Sequence, residues 1–151
     1  MNTSTRIFRF ALLAGTVAFA ACGMAQAPMM AGTSTATFGA VLSSTAEVPA
    51  NASPGTGMLD ATLDKNSNVL RWTLTYSGLT GPATMAHFHG PAMAGANAGV
   101  AVPFPSAMSP AKGETVLTAA QVADLMAGKW YANVHTAANP GGEIRGQVMA
   151  K

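Results

Sequence analysis

The chain reads as all-β: a Greek-key β-sandwich or flattened barrel of about seven short strands with one short helix. Three features of the sequence lead there. Apolar and polar residues alternate in short runs, the signature of half-buried strands. Sixteen glycines and nine prolines, with asparagine beside them, cut these runs apart. A helical stripe with a start signal occurs once, near the C-terminal end.

The elements follow in order. Residues 1–21 begin with Arg6 and Arg9 and continue as an apolar run, the pattern of a secretory signal peptide. That run is shorter than the roughly 20 apolar residues a permanent span needs, and nothing later approaches that length. Phe19-Ala20-Ala21-Cys22 is similar to a lipobox, with Cys22 as the lipidated residue; cleavage near residues 25–27 is the alternative. Residues 22–34 form a Met/Ala/Gly-rich tether, and residues 35–151 the domain. Phe38, Ala40 and Leu42 share one face of a first strand. Glu47-Val48-Pro49 and the following Asn51 to Gly55 are turn chemistry. Leu59, Ala61 and Leu63, then Leu70, Trp72, Leu74 and Tyr76, alternate on either side of Lys65-Asn66-Ser67-Asn68, which describes a hairpin. Residues 83–89 and 100–104 read as further strands. Thr118 and Gln121 make a capping box for a helix over about 118–127, with Val122, Leu125 and Met126 as its apolar stripe and Gly128 as its stop. Residues 130–135 and 144–149 are the last two strands, and Trp72 and Trp130 are core candidates.

Charge and cysteine content narrow the function. The formal charge of +2 belongs to the leader, because removing Arg6 and Arg9 leaves six bases against six acids. Neither nucleic acid nor an anionic membrane surface is an expected partner, and membrane attachment would come only through lipid on Cys22. Cys22 is the single cysteine, so the domain has no internal disulfide. No Ser-His-Asp order, phosphate-cradling glycine loop or paired carboxylates stand out.

The chemistry-bearing residues are the three histidines, His87, His89 and His135. Two residues apart on an extended strand, His87 and His89 face the same way. His135 ends a separate strand, on the face shared by Tyr131 and Asn133. If those strands meet, three imidazoles converge and leave a position open, a set that suits copper or zinc. Met85 and Met93 flank the pair as soft donors for Cu(I) or as packing residues. The competing reading has the histidines bonding loop carbonyls to hold a turn. Glu143 and Arg145, i and i+2 on a strand, are expected to pair with each other or across strands; in a functional role they would steer an anion or orient a histidine, as would Glu47. A metal-binding domain of the periplasm or cell surface and a metal-free adhesion or interaction module bound to a surface protein are the two functional expectations.

Several segments in order carry a family resemblance: Glu47-Val48-Pro49 with Gly55-x-Gly57, Leu70-x-Trp72-x-Leu74-x-Tyr76, Ala86-His87-Phe88-His89-Gly90-Pro91, Leu125 to Tyr131, and Asn133-Val134-His135-Thr136 through Pro140 to Gly146. They resemble the CHRD domain, named after the extracellular antagonist chordin and widespread in exported bacterial proteins. The resemblance runs from about Thr37 to Met149. Ala50 stands where a second proline is common, and Phe88 where an aliphatic residue is usual. The growth-factor binding of multi-domain chordins does not transfer to a single domain. The His-x-His strand is also similar to the copper-binding strand of Cu,Zn superoxide dismutases, so any enzymatic activity would be that of a metal-dependent oxidoreductase of this type.

Overall fold

The computed structural model describes Met1 and residues 34–151. The expected leader, Cys22 and the tether up to residue 33 lie outside the described residues. Among the described residues, eight strands form one antiparallel sheet: β1 (Thr35–Ser43), β2 (Thr56–Asp64), β3 (Val69–Ser77), β4 (Ala83–His89), β5 (Val100–Pro103), β6 (Ala111–Val116), β7 (Trp130–Thr136) and β8 (Ile144–Ala150). The order β5-β4-β7-β8-β1-β2-β3-β6 curls into a half-barrel, so the all-β flattened-barrel expectation holds. Chain neighbours β3 and β4 are far apart in this order, while β1 pairs with β8 and β4 with β7. Such crossings separate the layout from a simple meander.

Period-two alternation builds the interior. On the β2–β3 hairpin, Leu59, Ala61 and Leu63 oppose Leu74, Trp72 and Leu70 in register, and all six are buried. The turn between them is closed by the Asp64 carboxylate, which accepts from the Asn66 and Ser67 amides at 2.8 and 3.3 Å. Phe88, fully buried, meets Trp72, Phe104 and Trp130 with ring centroids 4.8 to 5.6 Å apart. Those separations are favourable for edge and tilted aromatic pairs.

An eighth strand, β6, is absent from the sequence reading. Ala111-Lys112-Gly113-Glu114-Thr115-Val116 has no apolar alternation because it is a sheet edge with Lys112, Glu114 and Val116 exposed. Its glycine has a packing reason: a Cβ on Gly113 would come within 2.3 Å of the Trp72 ring. The one α-helix among the described residues, α1 (Ala119–Met126), carries the Thr118–Gln121 capping box. Its stripe is narrower than read: Leu125 is buried and Val122 packs against the core, but Met126 is 47% exposed. Among the described residues no helix is long and apolar enough to cross a membrane.

β7 places the site. It is the only strand, among the described residues, whose every position is buried. Trp130, Ala132 and Val134 face the interior. Tyr131, Asn133 and His135 face the other way and are covered by loops.

Candidate functional site

The cluster follows from strand pairing. In β4, Phe88 anchors in the core, and alternation turns His87 and His89 to the outer face. The β4–β7 register sets Met85 opposite His135, His87 opposite Asn133 and His89 opposite Tyr131. The β7–β8 register then sets Asn133 opposite Arg145 and Tyr131 opposite Gln147. One side of three adjacent strands therefore holds all three histidines and Arg145. One ring nitrogen from each of His87, His89 and His135 lies within 4.8 Å of the other two.

Hydrogen bonds fix which nitrogens are available. His89 Nδ1 lies 2.9 Å from the Ala98 carbonyl, so it carries the proton and donates. Nε2 of the same ring is then a lone pair, and it is buried with no partner. His135 Nδ1 likewise donates to the Pro140 carbonyl at 3.0 Å, which leaves its Nε2 as a lone pair. That nitrogen lies 3.1 Å from His87 Nδ1 and 3.0 Å from Asn133 Oδ1. The His87 N–H can donate to it, whereas Oδ1 is a second acceptor. The latter contact is relieved by turning the amide or by placing a cation between the two atoms.

Electrostatics disfavour the charged forms of His87 and His135. Burial pushes His87 below its ordinary imidazole value, and His135 and His89 push it the same way. Burial is again the largest influence on His135 and lowers it; the Pro140 carbonyl and Glu47 oppose this, while His89 and Arg145 add to it. A neutral imidazole keeps one nitrogen lone pair beside its N–H, and that lone pair is what ligates a cation.

A buried ion pair supports the cluster. Arg145 Nε donates to Glu47 Oε2 at 2.6 Å, with side chains only 6% and 2% exposed. The remaining guanidinium nitrogens donate to the Ala96 carbonyl at 3.3 Å and to Asn97 Oδ1 at 2.7 Å. The guanidinium carbon also lies 4.3 Å from the centre of the Tyr131 ring. Tyr131 in turn stacks on His89 at 4.8 Å and accepts from the Ala98 amide through its hydroxyl. Arg145 thus pins the loop that supplies the carbonyl orienting His89. Three of its five N–H groups are engaged in this way. Glu47 lies against Gly142, whose φ of +134° and lack of a Cβ admit the carboxylate; a Cβ there would sit 2.5 Å from Oε1.

Glu143 departs from its expected roles. It pairs neither with Arg145 nor with a histidine. Its carboxylate is wholly buried and accepts from Ser53 Oγ at 2.6 Å, the Thr80 amide at 2.6 Å, Thr80 Oγ1 at 2.8 Å and Thr136 Oγ1. Burial alone would raise its titration, but these donors outweigh it and hold the group at about 2, against 4.5 for a free carboxyl. Because the folded value is depressed, the stabilisation is complete above about pH 4.5 and disappears as pH falls through about 2. Acid unfolding followed by circular dichroism should show this loss, and Glu143→Gln should weaken the protein at pH 7 while flattening its slope across that window.

Of the other residues singled out in the sequence, Met93 is exposed in the loop after β4. Sequence reasoning noted Tyr131 and Asn133 as sharing the face of His135 but assigned them no part. The Ala98 and Pro140 carbonyls left no signal, since any residue supplies one.

A curled antiparallel half-barrel with an outward His-x-His strand and a third imidazole beside it is the class these observations define. Residues 38–148 match the CHRD domain, and the chain belongs to that family. No curated protein and no solved structure matches it.

Proposed function

We propose that this CHRD domain acts outside the cytoplasm, in the periplasm or at the cell surface, and holds one copper ion through His87, His89 and His135. Zinc is the competing occupant. The observation that carries the reading is His89 Nε2, a buried lone pair without a partner on a ring whose other nitrogen is tied to a backbone carbonyl. Metal-ligating histidines are commonly oriented in this way. Separation supports it too: two nitrogens on one tetrahedral ion stand about 3.3 Å apart, and His87 Nδ1, a lone pair in the tautomer protonated at Nε2, lies 3.1 Å from His135 Nε2. With no thiolate and three nitrogens, the set resembles an open site more than a closed structural one.

The residues divide the work. His135 and His89 present nitrogens set by their carbonyl partners, and His87 completes the set from the partly open side. Tyr131 and the loop held by Arg145 restrict water behind His89. A bound copper ion would supply Lewis acidity and one-electron chemistry at the remaining position, which fits buffering or use of the ion with a small oxygen species.

Demetallated protein titrated with Cu(II), Cu(I) and Zn(II), with elemental analysis, tests this. One equivalent should bind, and at 100 times Kd the ligand should add about 2.7 kcal/mol of stability. Binding no tighter than millimolar would overturn the proposal. It would favour a metal-free interaction module, for which Val41, Met58 and Met149 offer an exposed apolar strip on β1, β2 and β8. Stoichiometric binding with superoxide dismutation no faster than that of free ion would assign buffering rather than catalysis.

A further inference from the structure

We infer that the Met85 thioether is a fourth, soft donor to the ion held by the histidines and tunes the site toward Cu(I). This rests on the metal-binding reading above. Met85 lies two residues before His87 and therefore on the same outer face of β4. In register it stands directly opposite His135, the most buried of the three imidazoles. Side chains so opposed have Cβ atoms about 4.5–5.5 Å apart.

Other side chains around the cluster are committed. Arg145 and Glu47 hold each other, Glu143 is bound by Ser53, Thr80 and Thr136, and the Tyr131 hydroxyl bonds to Ala98. Asn133 is an amide that lies against the His135 ring and brings no sulfur. Met85 has no such commitment: it is 48% exposed at the margin where His87 and His89 are only half-buried. Its unbranched side chain lets the sulfur move without disturbing the strand. Thioether sulfur selects Cu(I), whereas imidazole alone serves Cu(II) and Zn(II) as well. A mixed nitrogen and sulfur set therefore favours the reduced ion.

The test uses the full chain and its Met85→Leu variant, which keeps the apolar bulk and removes the sulfur. Cu(I) affinity is measured anaerobically by competition with bicinchoninate, Cu(II) and Zn(II) affinity by competition with chelators of those ions. X-ray absorption of the Cu(I) complex detects any sulfur neighbour. The expected result is that Met85→Leu weakens Cu(I) about tenfold or more, leaves Cu(II) and Zn(II) within about twofold, and removes a sulfur shell seen in the parent. Equal Cu(I) affinities, or a sulfur shell that persists in the variant, would overturn the role of Met85 and leave the three-imidazole site standing. Failure of the parent protein to bind copper in either oxidation state would overturn both.

Discussion

Arg145→Ala should destabilise the protein by about 3–5 kcal/mol, the usual cost of removing one partner from a buried ion pair. Thermal unfolding should register a fall in Tm of roughly 10–20 °C for a domain of this size. The loss comes from what is left behind. Glu47, only 4% exposed, would keep a buried carboxylate with no counter-ion, and its Oε1 already lacks a hydrogen-bond partner. The Ala96 carbonyl and Asn97 side chain would lose their donors too, releasing the loop that carries Ala98. Arg145→Lys should recover only part of the stability, because an ammonium cannot reproduce the several directed bonds of the guanidinium. Replacing both partners with apolar residues, Glu47→Leu with Arg145→Met, should recover most of it, since the stranded charge is then gone. If Arg145→Ala melts within a few degrees of the parent, the pair is not holding these loops.

His135→Ala should do the reverse: it should spare the metal-free fold and abolish tight metal uptake. The imidazole contributes a bond to the Pro140 carbonyl and contacts to His87 and Asn133, so its loss should cost the apo protein only about 1–2 kcal/mol. Losing an outer-shell partner typically lowers metal affinity roughly 10–100-fold, and losing a ligand should exceed that. Calorimetric titration should therefore show no stoichiometric step with Cu(II), and added metal should no longer raise Tm. A variant that still binds one equivalent tightly would remove His135 from the ligand set. Measured together, the two substitutions separate the scaffold from the site, because one lowers Tm without metal and the other lowers only the gain from metal.

How much of this was legible in the sequence depended on whether the cause was local. The β2–β3 hairpin, the facing of His87 and His89 and the helix cap all follow from short-range rules of alternation and turn chemistry. β6 escaped because an exposed edge needs no apolar rhythm and because Gly113 answers to a tryptophan forty-one positions earlier. The neighbourhood of His135 and His87 depends on β4 pairing with β7, which no local pattern encodes. Glu47 and Arg145, ninety-eight positions apart, were legible as charged residues but not as partners. Glu143 was misassigned for a related reason: its i+2 spacing from Arg145 suggests a common face, but it precedes β8 and turns toward the hydroxyls of Ser53, Thr80 and Thr136.

The anchoring of Phe88 between His87 and His89 ties the length of β4 to its chemistry. A one-residue insertion in β4 ahead of His87 would have to be absorbed as a bulge, or it would swing both rings into hydrocarbon and send the aromatic anchor into water. Two inserted residues would restore the original facing. Strand β4 can therefore lengthen in pairs of residues while keeping the rings outside, whereas odd changes set the interior against the histidines.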